Sequence, residues 1–126
     1  MRLLLDTHIF LWWCADDARL GPVERDAIRT PSNDIYLSAA SVWEMMIKQA
    51  LGRLQIPESP SEAAIRMGMH RLPVTMEHAE ATSALPALHR DPFDRMLVAQ
   101  AHVESLTLMT DDQVIRSYPG VAFLLS

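Results

Sequence analysis

The sequence predicts an α/β fold in three layers, with helices covering both faces of a mainly parallel central sheet. Two observations lead there. Short apolar runs of strand length alternate along the chain with longer stretches that open on helix-start residues. The first of those runs, Leu3-Leu4-Leu5, is continuous rather than alternating, as expected of a strand buried on both faces in a parallel sheet. With 126 residues the chain matches one ordinary domain and can bury a core of its own, so a single domain over 1–126 is expected.

Taken in order, strand one ends at Asp6, which puts a carboxylate at the carboxyl edge of the sheet, where open α/β sheets bind ligands. Ile9 to Cys14 reads as a helix or helical turn carrying the pair Trp12-Trp13. Neighbouring helix positions point about 100° apart, so core packing for one tryptophan and partial exposure for the other is expected. Gly21-Pro22-Val23-Glu24 starts a helix to about Thr30, with Pro at the first helical position and an acid in the first turn. Asp34 to Ser38 is strand two, and Ser38 caps a long helix that Gly52 terminates after Leu51. A right-handed crossover between these strands is the default. Ser59-Pro60-Ser61-Glu62 opens a helix to about Met69, Arg71 to Val74 reads as a short strand, and Thr75 caps a helix from Met76 to about Leu85. The clearest helix start is Asp91-Pro92-Phe93-Asp94, with Asp91 as N-cap, Pro92 at N1 and the helix running to about Glu104. Leu106 to Met109 is a strand, Val114 to Ser117 a short helix, and Val121 to Leu124 a last strand.

Composition narrows the chemistry. Hydrophobic residues make up 49% and charged ones 21%, a globular balance. One cysteine, Cys14, excludes an internal disulfide framework and a thiolate zinc site, and the cytosol is the expected compartment. Cys14 itself is expected to be buried. No signal peptide or membrane-length apolar run is legible. The formal charge of −5 argues against nucleic acid unless the acids gather around a cation, which reverses the local sign. Of the basic residues ten are Arg and one is Lys48, and Arg is the better phosphate fork.

Several acids are placed to gather. Asp94 shares a helix face with Leu97, Val98 and Ala101, although capping and dipole roles alone would also explain it. Glu44 sits mid-helix in Ser41-Val42-Trp43-Glu44-Met45-Met46-Ile47. It reads either as a surface acid paired with Lys48 at i+4 or, because this helix is apolar nearly all round, as a buried group that needs a partner or an ion. Asp111 and Asp112 follow a strand and reach the sheet edge of Asp6, or cap the short helix that follows. At an effective dielectric near 20, two such charges about 5 Å apart repel by roughly 3 kcal/mol, so an ionised cluster calls for a cation. Oxygen-only ligands suit Mg2+ or Mn2+, which polarise phosphoryl groups and activate water. One metal or two stays open. His8 reads as a structural hydrogen bonder or a substrate contact. The set His8, His70, His78, His89 and His102 has no zinc-ligand spacing, and phosphate-cradling glycine motifs are absent.

Four segments, LLLDTHIFLWW, SAASVWEMMIK, RDPFDRMLVAQA and LMTDD, resemble in sequence and order the PIN-domain family, specifically the VapC-like toxins of type II toxin–antitoxin modules. The resemblance implies a PIN-like fold and a Mg2+- or Mn2+-dependent endoribonuclease that hydrolyses RNA phosphodiesters. Its acids map onto Asp6, Glu44, Asp94 and Asp112, the last because the family pattern Thr-x-Asp selects it over the adjacent Asp111. By the same resemblance Asp6 and Asp94 hold the metal most directly, Glu44 and Asp112 bind or position water, and Thr110 orients the site through its hydroxyl. It further implies a homodimer and a cognate antitoxin that wraps the toxin, with Trp12, Trp13 and the first two helices as anchors. Arg90 and Arg95 flank Asp94 and read either as RNA-phosphate contacts or as solvated surface.

Two rival classes are weighed. A receiver-like phosphoacceptor also gathers acids and a Thr at sheet edges, but it wants a Lys at a late strand end, whereas Lys48 lies in the middle helix. A phosphatase with a strand-one DxD fails because His8 stands two residues after Asp6. A catalytically silent protein-binding module is the second alternative, and the presence of all four acids argues against it.

Overall fold

The computed structural model describes residues 1–88 and 90–119 and the backbone of residues 122–124. His89 and Val121 therefore lie outside the described residues. The elements are β1 (Arg2–Leu5), α1 (Thr7–Cys14), α2 (Pro22–Arg29), β2 (Asp34–Ser38), α3 (Ala39–Ala50), α4 (Pro60–Arg66), β3 (His70–Leu72), α5 (Met76–Ala81), α6 (Pro92–Glu104), β4 (Thr107–Met109), α7 (Gln113–Arg116) and β5 (Ala122–Leu124). All pairings in the sheet are parallel, in the order β3-β2-β1-β4-β5, so β1 is central. The chain builds outward from β1 on one side and then returns to build on the other, which makes the carboxyl end of β1 a topological switch point.

Strand alternation divides the core between two layers. Leu3, Leu5, Ile35 and Leu37 face the layer that contains Phe10, Ala27, Met45 and Ala64 of α1 to α4. Leu4 and Leu108 face Leu97, Val98, Ala101 and Ile115 of α6 and α7. Burying a leucine side chain contributes about 2 kcal/mol, so β1, with all three leucines fully buried, anchors both layers.

Helix boundaries follow local chemistry. Asp6 accepts hydrogen bonds from the N–H groups of His8 and Ile9, so α1 begins at Thr7, two residues before the expected start. Asp91 caps α6 through the N–H groups of Phe93 and Asp94 as expected. At the end of α3, Gly52 (φ +72°) lets its own N–H reach Gln49 O and that of Arg53 reach Lys48 O, a Schellman closure. The same closure at Gly68 ends α4 at Arg66, earlier than the expected Met69, and brings β3 forward to His70–Leu72, just ahead of Pro73. Helix α5 gives way to a 3-10 turn at Thr82–Ala84. Two further closures occur without glycine, at Asp16 (φ 50°) after α1 and Ser105 (φ 55°) after α6.

Three expectations about burial need correction. Helix α3 is not buried all round. It buries Ala40, Ser41, Glu44 and Met45 and exposes Trp43 (65%) and, just past its end, Leu51 (61%), because only one face meets α1 and α6. Cys14 is exposed at the end of α1. Trp12 and Trp13 are both half-buried, each with an arginine over its ring: Arg19 at 5.0 Å and Arg29 at 5.8 Å. Among the described residues no helix is long and apolar enough to cross a membrane.

Candidate active site

The parallel register pairs Leu5 with Met109, so the two residues that follow these strands, Asp6 and Thr110, emerge side by side. The Asp6 N–H donates to Met109 O, and Thr110 Oγ1 donates to Asp6 Oδ2 at 2.5 Å. The same hydroxyl oxygen accepts the N–H of Asp112 at 3.1 Å, tying the β1 end to the segment after β4. Asp6 is only 3% exposed. Burial pushes its carboxyl above the ordinary value, while the Thr110 hydroxyl and the N–H groups of Ile9 and His8 work to keep it charged.

Glu44 is likewise buried, at 5% exposure, on the face of α3 that meets α1. Thr7 Oγ1 donates to Glu44 Oε1 at 2.7 Å and stands 3.0 Å from Ser41 Oγ. Lys48 donates to Glu44 Oε2 at 2.9 Å. The surface reading of Glu44 therefore fails and the buried one holds, with Lys48 at i+4 as the partner it needs. The Lys48 ammonium is a built-in counter-charge to a carboxylate that would otherwise be costly to bury.

Asp94 is half-buried in the first turn of α6 and heads the face that buries Leu97, Val98 and Ala101. Asp112 is also half-buried. Its carboxylate caps α7 through Val114 and Ile115 N–H, so the capping alternative is met, while its backbone is fastened to Thr110. Asp111 is exposed. One cleft of about 400 Å3 is lined by Asp6, Glu44, Asp94 and Asp112, and also by Asp91 and Asp111. The structure thus brings all four sequence-selected acids to one opening. They come from four separate segments of the chain.

Four more lining residues are His8, Trp12, Arg19 and Lys48. Arg19 and Lys48 as cations of this cleft escaped sequence reasoning, as did Asp91, which reads simply as a helix cap. Only the i+4 spacing of Glu44 and Lys48 hinted at one of them. The His8 ring is exposed and lies 6.1 Å from that of Trp12. Arg95, expected near RNA phosphates or in solvent, does neither. Its guanidinium donates to the carbonyls of Thr82 and Pro86 and to the Tyr118 hydroxyl, clamping the segment before α6. Arg90 is exposed.

The donor set suits a hard divalent cation. Six carboxylates against two cationic side chains leave a surplus of negative charge, and the carboxylate donors of the cleft are oxygen. Among the described residues no three acids stand close enough to form a ready-made cage. Mg2+ does not require one, since it keeps several waters and is held through one or two carboxylates.

A profile of the PIN domain matches residues 3–121. Ribonuclease VapC22 of Mycobacterium tuberculosis is 29% identical over 119 residues, covering 92% of this chain and 91% of that protein. Among solved structures, VapBC2 from Rickettsia felis bound to a promoter DNA fragment aligns with a TM-score of 0.73 at 15% identity, covering 98% of each chain. A toxin–antitoxin complex from Klebsiella pneumoniae aligns with a TM-score of 0.61 at 20% identity over 95% of each chain. These two likenesses concern the fold, a parallel sheet between helical layers. The profile spans nearly the whole chain, including the segments that carry all four acids, and the chain belongs to the PIN-domain family.

Proposed function

We propose that this chain is the toxin of a type II toxin–antitoxin module, a single PIN domain that hydrolyses RNA phosphodiester bonds as a Mg2+- or Mn2+-dependent endoribonuclease in the cytosol. The observation that carries the reading is the convergence of Asp6, Glu44, Asp94 and Asp112 on one cleft at the switch point of the sheet. Similarity to ribonuclease VapC22 supports the choice of RNA.

In this reading Asp6 and Asp94 hold the ion directly, while Glu44 and Asp112 bind or position water. A bound Mg2+ or Mn2+ supplies Lewis-acid polarisation of the phosphate and an acidified water. The protein supplies the rest. Thr110 fixes the Asp6 carboxylate by a 2.5 Å hydrogen bond, so its orientation is set before substrate arrives. Thr7 and Lys48 engage the two oxygens of Glu44 separately, which fixes its orientation inside the fold. The Thr110–Asp112 link favours Asp112 over the exposed Asp111 as the fourth acid.

An antitoxin is the proposed partner, and the structural neighbour from Klebsiella pneumoniae is a toxin–antitoxin complex by its description. The half-buried Trp12 and Trp13 on α1, beside α2, are the proposed anchors, and a partner there would also cover the cleft through Trp12. A homodimer through the outer face of α3, where Trp43, Met46, Ile47 and Leu51 are exposed, is the proposed assembly. The test is incubation of the purified protein with RNA in Mn2+, in EDTA, and with Asp94→Asn in Mn2+. Cleavage is expected in the first alone, and equal cleavage by the variant would sink the mechanism. A short upstream reading frame encoding a small DNA-binding protein would support the toxin assignment.

A further inference from the structure

We propose that the groove opening off the acid cleft, between α1 and the segment joining α3 to α4, seats the RNA nucleotide next to the scissile phosphate. The inference rests on the nuclease reading above and adds a substrate subsite to it. The groove has a volume of about 450 Å3, within the rough 300–1,000 Å3 range of small-molecule sites. It shares His8, Trp12, Arg19 and Lys48 with the acid cleft, so the two form one continuous channel.

The sign of the charge reverses along that channel. The acid cleft carries six carboxylates, whereas the groove is lined by Arg19, Lys48 and Arg53 with Asp17 as its one acid. Asp17 is already held by Arg19 at 2.7 Å, which pulls its carboxyl down to about 2 and keeps it charged and paired. Arg53 forms no ion pair among the described residues and is exposed. A strand whose one phosphate lies at the acid centre has its neighbouring phosphates some 6–7 Å apart by covalent geometry, and these need cations rather than acids. Arg53 is a guanidinium with no assigned carboxylate, on the side where the strand leaves.

The groove wall is also rigid, as a subsite must be. The Schellman closure of α3 joins Arg53 N–H to Lys48 O at 2.9 Å, which holds the backbones of these two residues together at the groove wall. Beyond it Leu54 and Ile56 pack against the core while Arg53 and Gln55 stay exposed, and all four line the groove. Gln55 has both a donor and an acceptor for a base edge. His8 and Trp12 offer ring surface beside them, with Arg19 over the Trp12 ring. Leu11, Leu54, Ile56 and Pro57 add apolar surface on which a base can rest beside the Trp12 ring, and the cations next to it suit a single-stranded nucleic acid.

The test uses the full chain and a fluorescein-labelled, mixed-sequence single-stranded RNA of about eight nucleotides. Binding is followed by anisotropy in Ca2+ at several salt concentrations, and cleavage sites are mapped in Mn2+ on longer RNA. Arg53→Glu should weaken binding by about tenfold or more, Arg53→Ala by a few fold with a salt slope smaller by about one, and Arg53→Lys should recover most of the loss. Gln55→Ala should change the base preference beside the cut. Quenching of tryptophan emission by RNA should diminish in Trp12→Phe. Wild-type binding and cleavage maps retained in Arg53→Glu would overturn the subsite and leave the nuclease intact. Failure of the wild type to cut any RNA, with binding still lost in Arg53→Glu, would overturn the nuclease and leave the groove as an RNA site. Loss of a protein partner in Arg53→Glu with RNA binding unchanged would give the groove to that protein instead and overturn the proposal.

Discussion

Two polar clusters are buried against the same sheet, and they are built on opposite rules. One lies at the carboxyl edge of β1 and β4, where Asp6 and Glu44 are sunk with Thr110, Thr7 and Lys48 around them. The other lies between β2, α5 and α6. There the Ser38 hydroxyl donates to Gln100 Oε1 at 2.5 Å, and Gln100 Nε2 donates to Pro73 O at 3.3 Å. His78 Nδ1 accepts the Thr75 N–H, so its Nε2–H faces Glu104 Oε2 at 2.8 Å. In this second cluster every side chain is met from within the fold, Gln100 Nε2 also lying 3.4 Å from His78 Nδ1. The first cluster ends with carboxylates in excess. A polar group buried for structure closes on itself, whereas one buried for chemistry leaves charge for an outside partner to complete.

The largest expected effect breaks the open cluster. Asp94→Asn should lower RNA cleavage on the order of 10³-fold or more, about 4 kcal/mol of barrier, with unchanged circular dichroism. The matching break in the closed cluster is Gln100→Ala, which strands the Ser38 hydroxyl and leaves a cavity. A loss of about 3 kcal/mol, roughly 10 °C in melting temperature, is expected, with cleavage per folded molecule unaltered. Equal damage to activity would erase the distinction between the clusters. Mn2+ sharpens it: at a hundredfold excess over its dissociation constant it should stabilise the wild type by about 2.7 kcal/mol in thermal melts and Asp94→Asn much less.

Acidity gives a gentler probe. The Asp6 carboxyl is raised above its ordinary 3.8 in the fold by burial. Between that ordinary value and the folded one, the native state holds more protons than the unfolded chain. The stability of the metal-free protein should therefore fall as pH climbs through this window. Asp6→Asn should melt higher than wild type at neutral pH without metal, and the gap should close toward pH 4. A gap that widens on acidification would contradict burial as the dominant cause. The smallest effect lies in neither cluster: Ser105 holds φ 55° at the end of α6, and Ser105→Gly should stabilise by about 1 kcal/mol or less in urea unfolding.

The clusters also differ in how far the sequence disclosed them. Each of the four acids stands at an element boundary or inside an apolar face, where a carboxylate interrupts a pattern. The interruption is visible in Leu3-Leu4-Leu5-Asp6 and in Asp94 above Leu97. Strands and most helix starts were legible for the same reason, since apolar runs and capping residues act locally. Ser38, Gln100 and His78 join three distant segments through hydrogen bonds that leave no periodic trace. The outer face of α3 misled because apolar residues report only that water is unfavourable, and a solvent-facing Trp43 looks like a buried one. Arg95 misled because its carbonyl partners come from a turn whose path no local pattern specifies. The helix ends at Cys14 and Glu104 fall where expected, but the left-handed closures at Asp16 and Ser105 were hidden because neither position carries the glycine that usually marks one.

The Thr110–Asp6 hydrogen bond spans 104 residues of sequence, nearly the whole chain. Synthesis runs from the amino terminus at roughly 5–20 residues per second, so strand β1 waits several seconds for the strand that completes its active edge. A nascent chain not yet extended to Thr110 has Asp6 and Glu44 but lacks Thr110 and Asp112. Under the proposed activity, a chain not yet extended through Asp112 carries an incomplete site and cannot cut RNA.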